Sequence, residues 1–407
     1  MKYLILIGDG MGDHPVPELD GKTPLQAART PVMDELSRKG TLLSASTVPE
    51  GFPPGSDVAN MSLLGYAPQQ YYTGRAPLEA ASMGVTLAPD ETAFRCNLVS
   101  LDYHDSNRTT MVDFSAGHIS NAEAAQLISA LQEKCGNALF TFHAGISYRH
   151  LLVVKDPIPE MVTVPPHDFI GKDVSQHFQN YLDTSGWKEL ILEAKDLLAN
   201  HPVNVNRIKS GHRPANGIWL WGEGKMPSMP TLPDRFNISG TMISAVDLLK
   251  GLGICANLSV AKVEGATGYI DTNYQGKAQA ALDALETQDL VFVHLEGPDE
   301  AGHQARLDHK IQAIEDFDAK IVYPIVKHLR DKEEQFRAII TMDHFTPLAL
   351  QTHTSEPVPV ILYDSRESTP GSQLPFDETV LKSHETKIQA IEGYKLINTL
   401  LQQSESN

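Results

Sequence analysis

Tyr3-Leu4-Ile5-Leu6-Ile7-Gly8-Asp9-Gly10-Met11-Gly12-Asp13 is the stretch that decides the fold. Its apolar run is continuous rather than alternating, which predicts a strand buried on both faces inside a largely parallel sheet. The glycines that follow end the strand in a tight loop, and Asp9 falls at its carboxyl end, the edge where open α/β sheets take ligands. The spacing does not fit a dinucleotide fingerprint, because no G-x-G-x-x-G run leads into a helix. The run is also too brief for a signal peptide or a membrane span.

Two later stretches repeat this design. Asp289–Leu295 (DLVFVHL) predicts a strand, followed by Glu296-Gly297-Pro298-Asp299-Glu300-Ala301-Gly302-His303. Asp299 and His303 are four apart, so one helical turn puts both on one face. Arg337–Met342 predicts another strand, with Asp343-His344 at its end. Gln351–Pro357, containing His353, then forms a loop into a strand over Val358–Tyr363. With Asp9, these segments place carboxylates and imidazoles at successive strand ends. A lone Asp-His pair usually means a satisfied turn, but four coordinated segments do not. Such a donor set suits divalent ions such as manganese, zinc, cobalt or iron. Two ions side by side form the usual clamp for a moving phosphoryl group.

Between these strands lies Pro49–Tyr66, PEGFPPGSDVANMSLLGY. It passes from a Gly- and Pro-rich loop into helix-compatible sequence at Ser56. A serine there is either a helix N-cap or a residue placed beside free N–H groups that receive a phosphate. The same geometry allows both. Thr30–Gly40 predicts a short helix with Pro31 in its first turn and Gly40 as C-cap.

Turn-rich zones at Tyr66–Pro77 and Lys225–Gly240, the second with Pro227, Pro230 and Pro233, read as paired linkers around an insert. The expected division is a core of residues 1–77 and 237–407 interrupted by a domain of residues 78–236. Inside the insert, helical patterns (Asn121–Lys134, Trp187–Asn200) alternate with strand-like runs (His150–Lys155, Ile218–Trp221), giving α/β or α+β character. Met242–Leu252 is expected to be an amphipathic helix, and the polar tail Gln402–Asn407 to fray.

The 407 residues carry a formal charge of -18, which argues against nucleic acid or an anionic membrane as partner. Cys96, Cys135 and Cys255 match no metal or redox pattern and read as buried thiols in a reducing, cytoplasmic setting. No stretch marks a subunit interface.

GDGMGD, PGSDVANMSLLGY, GRAPLEAASMG, MVDFSAGHIS, SYRHLLVV, PANGIWLWGEG, ATGYIDTNYQGKA, HLEGPDEAGH, MDHFTP and THTSEPVPV together resemble the archaeal-type cofactor-independent phosphoglycerate mutases of the alkaline phosphatase superfamily. The resemblance runs over nearly the whole chain. It implies a doubly wound, mostly parallel metal-binding core with an inserted substrate or lid domain, and interconversion of 2- and 3-phosphoglycerate without 2,3-bisphosphoglycerate. By the same resemblance, Asp299, His303 and His353 hold one ion, and Asp9, Asp343, His344 and the Ser56 oxygen hold the other. Ser56 becomes transiently phosphorylated. Manganese stands first as the metal, with magnesium, cobalt and zinc as alternatives. Arg149 and His150 resemble substrate anchors, His118 a further one, and Arg75 and Lys225 stand beside the linkers as anion contacts. Phe345 departs from the proline more usual after Asp-His, which bears on loop shape only. The rivals are a metal-dependent phosphatase or phosphonate hydrolase, another sugar-phosphate mutase, and a non-catalytic phosphate- or metal-binding regulator.

Overall fold

The computed structural model describes all residues except 105–107, 157–160, 185, 368–369, 382–389 and 403–407. Most of the tail expected to fray therefore lies outside the described residues. The described strands are, in chain order, β1 (Lys2–Gly8), β2 (Thr41–Ser46), β3 (Glu91–Tyr103), β4 (Thr109–Asp113), β5 (Phe140–Ile146), β6 (Arg149–Lys155) and β7 (Gly217–Gly224). After these come β8 (Gly240–Ile243), β9 (Ser259–Val260), β10 (Leu290–Leu295), β11 (Phe336–Thr341), β12 (Val358–Asp364) and β13 (Ala390–Glu392).

The chain forms two compact units, Met1–Tyr72 with Ser228–Asn407, and Thr73–Pro227. The borders fall some residues before those expected. Helix Ala76–Ser82 packs its Ala76 and Ala80 with Leu151 and Val153 in the insert's own core, while the Leu232 N–H bonds Ala256 O in the other unit.

The larger unit holds an eight-stranded sheet in the order β13-β2-β12-β11-β1-β10-β8-β9. Strand β1 pairs in parallel with both β10 and β11, and Leu4, Ile5, Leu6 and Ile7 are fully buried. Complete burial of consecutive residues means both sheet faces are covered, as the unbroken apolar run requires. Strand β12 runs antiparallel to β11 and β2. Its start therefore lies beside the end of β11, which brings the loop before β12 to the same edge as the loops after β1, β10 and β11.

Helix Pro31–Lys39 ends at Gly40 as expected. Met242–Leu252 is not one helix. Met242 and Ile243 belong to β8, paired with β10, and the helix spans Asp247–Cys255. A short apolar run fits either period, and here pairing with the central sheet decides.

The smaller unit is an antiparallel sheet, β4-β3-β6-β5 with β7 also on β3, and so is α+β. Helices Asn121–Lys134 and Trp187–Asn200 contribute Leu127, Leu131, Trp187 and Leu198 to its core with Phe94, Leu152 and Trp219. Cys96 and Cys135 are buried free thiols, whereas Cys255 is half-buried, at the end of an amphipathic helix. Among the described residues no helix is long and apolar enough to cross a membrane.

Candidate metal centre and nucleophile

The candidate ligands gather at one edge of the larger unit's sheet: at the ends of β1 and β11, inside and just after β10, and in the loop before β12. Asp9 follows β1, and its N–H bonds Leu295 O on β10. Gly10 turns away at φ +59°, and its N–H donates to Asp343 Oδ1 (3.1 Å). A left-handed turn this close to two carboxylates suits glycine alone, since a Cβ would lie 2.7 Å from Asp299 Oδ1. The loop after β11 is stitched to its neighbours by Phe345, which bridges Met11, Gly12 and Thr354. The residue that departs from the expected proline thus ties together the three ligand-bearing loops.

Asp299 and His303 lie on helix Gly297–His303, as the spacing predicted. Asp299 Oδ2 is 3.3 Å from His303 Nε2, and Oδ1 is 3.4 Å from His353 Nε2. His303 Nδ1–H donates to Gln351 O (2.9 Å), which leaves Nε2 free to face inward, 2.9 Å from His353 Nε2. A backbone acceptor on the far nitrogen is the usual means of orienting a ligating imidazole. Thr346 Oγ1–H donates to Asp299 Oδ1.

Asp343 and His344 are completely buried. His344 Nε2 is 3.5 Å from Asp9 Oδ1, 3.4 Å from Asp343 Oδ2 and 3.2 Å from Ser56 Oγ. Asn60, one turn past Ser56 on helix Ser56–Leu63, donates to Asp343 Oδ2 (2.8 Å) and to Ser56 O (2.9 Å). One amide thus locks the nucleophile candidate to the ligand. The N-cap position is taken by Gly55, and Ser56 is the first residue of the helix. Of the two readings open for Ser56, the structure does not place it as the cap: its hydroxyl faces His344.

Two sets of donor atoms converge within 4.8 Å: Asp299, His344 and His353, and Asp9, His294 and Asp343. The structure thus groups His344 with the first set, although it also faces Asp9. His294 was not anticipated. It sits inside β10, and the signal was there: a histidine in the otherwise apolar Asp289–Leu295.

Burial, with Asp343 and Asp299 adding like charge, pushes the Asp9 carboxyl well above its usual range. Burial also disfavours ionised Asp299, but His303 and His353 outweigh it and hold its carboxyl low. Against the cost of burial, Asp299 lifts the His303 imidazole to about 9. Burial lowers His344, helped by His353 and His294. Asp9 Oδ1 and both His294 ring nitrogens are buried without a hydrogen bond among the described residues. Buried polar atoms left unpaired are costly, and a divalent cation shared by these carboxylates and imidazoles would satisfy them. The donor set fits a metal centre.

Lys310 braces the site from behind. Its buried Nζ donates to Gly12 O (3.0 Å), Thr346 O (2.8 Å) and Asp13 Oδ2 (2.8 Å), tying the loop after β1 to that after β11.

In the smaller unit, His118 and Arg149 flank Tyr148, with the His118 ring 6.0 Å and the Arg149 guanidinium 5.8 Å from its centroid. Arg75 and Arg95 lie over Trp221, at 5.9 Å and 4.0 Å. Burial lowers Arg95 despite its pairing with Glu79, and Arg75 and Arg149 add to the effect. Three arginines thus share one neighbourhood. Arg95 was missed, though a charged residue in the largely apolar Ala93–Val99 run is the same kind of signal as His294. Lys225 instead pairs with Asp156 at 2.6 Å. His150, expected as an anchor, is 2% exposed. Its Nδ1 accepts the Gly145 N–H of its own hairpin, and burial drops the ring to about 4. A neutral, enclosed ring serves the hairpin rather than an anionic substrate.

A mostly parallel α/β core carries two carboxylate–imidazole groups able to hold metal ions at its carboxyl edge, with a serine hydroxyl against one of them. The profile of the 2,3-bisphosphoglycerate-independent phosphoglycerate mutases matches residues 37–204. A mutase of that name from Methanosarcina barkeri is 49% identical over 94% of this chain and 95% of its own length. A probable one from Geobacter sulfurreducens is 50% identical over 98% of this chain and 100% of its own. Among solved structures, a Pyrococcus horikoshii protein is similar at 30% identity and TM-score 0.81, covering 100% of this chain and 98% of its own. The cofactor-independent phosphoglycerate mutase of Thermoplasma acidophilum is similar at 27% identity and TM-score 0.62, with 99% of each chain covered. The chain belongs to the 2,3-bisphosphoglycerate-independent phosphoglycerate mutase family.

Proposed function

We propose that this protein interconverts 2- and 3-phosphoglycerate without 2,3-bisphosphoglycerate, with Ser56 carrying the phosphoryl group between the two hydroxyls. The observation that carries the reading is the Ser56 hydroxyl, at the first turn of a helix and 3.2 Å from His344 Nε2 within the two ligand groups. Two divalent ions, manganese foremost, would be held by Asp9, Asp299, His303, Asp343, His344 and His353, and would supply charge stabilisation for the phosphoryl group and ease ionisation of the Ser56 hydroxyl.

This chain's own residues do the rest. Asn60 and Thr346 hold Asp343 and Asp299 in place, and Asn60 also fixes the Ser56 backbone. The first N–H groups of helix Ser56–Leu63 lack intrahelical partners and favour an anion at Ser56. As the Ser56 Oγ–phosphorus bond forms, the bond from phosphorus to the substrate oxygen breaks, and the serine proton ends on the glycerate hydroxyl. Attack by the other hydroxyl reverses these changes and restores Ser56. Positioning and charge dominate such transfers. Arg149, His118 and Arg75, with Arg95 added, are the anchors proposed for the anionic substrate. Three free thiols accord with a cytoplasmic setting.

The test is a product assay on chelator-stripped enzyme with manganese, magnesium, cobalt or zinc restored in turn, without bisphosphoglycerate. Isomerisation of 3-phosphoglycerate is expected. Inorganic phosphate as the main product would sink the mutase reading in favour of a phosphatase.

A further inference from the structure

His294 is fully buried in the middle of the central sheet, where an imidazole has no packing advantage over leucine or valine. Its Nε2 points between two carboxylates, 3.4 Å from Asp9 Oδ2 and 3.7 Å from Asp343 Oδ2. Those separations exceed a good hydrogen bond, at roughly 2.7–3.2 Å. They match ligands of a shared ion, since donors about 2.1 Å from a tetrahedral centre stand about 3.4 Å apart. Neither ring nitrogen makes a hydrogen bond to a described residue, and Asp9 Oδ1 is also unpaired.

The other side of the ring is equally organised. Nδ1 lies 3.4 Å from Glu296 Oε1. That oxygen already accepts Ser244 Oγ–H and Ala245 N–H, each at 2.8 Å. Glu296 Oε2 is held by the buried Lys277 Nζ at 2.6 Å, and the same ammonium donates to His294 O (3.1 Å). The carboxylate therefore cannot swing away, and its charge is balanced. With Glu296 fixed on the Nδ1 side, the Nε2 side is the one left to face an ion shared with Asp9 and Asp343.

We propose that His294 Nε2 is a ligand of the ion held by Asp9 and Asp343, with Glu296 and Lys277 positioning the ring. This assigns a role to a buried Lys–Glu–His chain that the phosphoryl-transfer reading leaves unused. It rests on the metal centre of that reading but not on the reaction catalysed there.

The direct test is a crystal structure of the full wild-type chain soaked in Mn²⁺, with the ions located by anomalous scattering. An ion within about 2.0–2.3 Å of His294 Nε2 and bonded to Asp9 and Asp343 is expected. An ion on Asp9 and Asp343 lying beyond about 3 Å from Nε2 would overturn the assignment. In solution, calorimetric Mn²⁺ titration of folded H294Q should show one of two ions bound roughly 10–100-fold more weakly, with H353A weakening the other. Wild-type affinity for both ions in H294Q would refute the proposal. Phosphate release instead of isomerisation, with manganese on His294, would remove the mutase reading and leave this one standing.

Discussion

Gly10 offers the sharpest test of how the loop after β1 shapes the metal centre. It stands at φ +59°, and a Cβ there would lie 2.6 Å from Thr346 Oγ1, 2.7 Å from Asp299 Oδ1 and 2.8 Å from Asp299 Cα. G10A therefore carries two penalties. The left-handed backbone costs an alanine about 1–2 kcal/mol. Crowding a packed interior adds about 1–3 kcal/mol, because Asp299 Cα is main chain and cannot rotate away. Gly21 is the matched control: its φ is +79°, but no described atom lies within 4 Å of its Cβ position. G21A should lose only the backbone part, about 1–2 kcal/mol, with unchanged Mn²⁺ affinity. G10A should lose about 2–5 kcal/mol and bind one ion at least roughly 10-fold more weakly as Asp299 is displaced. Urea unfolding of chelated protein followed by circular dichroism reads the first quantity, and calorimetric titration the second. If G10A matches G21A in both, the close packing of Gly10 on Asp299 plays no part in the site.

Asn60→Ala removes the amide that bonds both Asp343 and Ser56 O, and should cost about 1.5–3 kcal/mol of stability and weaken Mn²⁺ binding in the same calorimetric titration. Lys310→Met strands Asp13 without its cation and frees two carbonyls; a loss of about 3–5 kcal/mol in urea unfolding is expected, partly recovered when Asp13→Asn is added. Burial pushes the Glu378 carboxyl up to about 7, although it accepts Thr23 Oγ1–H and Asp13 N–H. The folded state holds that proton more tightly than the unfolded chain, so its stabilising contribution is present below about pH 4 and is lost as pH rises through about 7. Unfolding free energy measured across this window should fall by up to about 3 kcal/mol more in the wild type than in Glu378→Gln.

The edge carrying the site was legible because strands buried on both faces read as unbroken apolar runs, and each was followed by its acid or histidine. Helical spacing put Asp299 and His303 on one face, and their assignment as ligands of one ion came only with the family resemblance. Strand direction was not: nothing in Val358–Asp364 distinguishes an antiparallel strand, yet that reversal brings His353 to the ligand edge. His294 and Arg95 passed unnoticed as fillers of apolar strands, although a charged or imidazole side chain in such a run needs a reason. Asn60 was hidden because its partner Asp343 is distant in sequence, and only tertiary packing joins them. Met242 was assigned to a helix because a few apolar residues satisfy both periods, and pairing with β10 settled the matter.

Ser56 is the proposed carrier of the phosphoryl group. Wild-type enzyme loaded with Mn²⁺ should be quenched during turnover of ³²P-labelled 3-phosphoglycerate, and the peptide containing Ser56 isolated and sequenced. Label is expected on Ser56 and none in S56A, with no isomerisation by S56A while both ions remain bound. Isomerisation by S56A, or turnover with label on another residue, would contradict that carrier role.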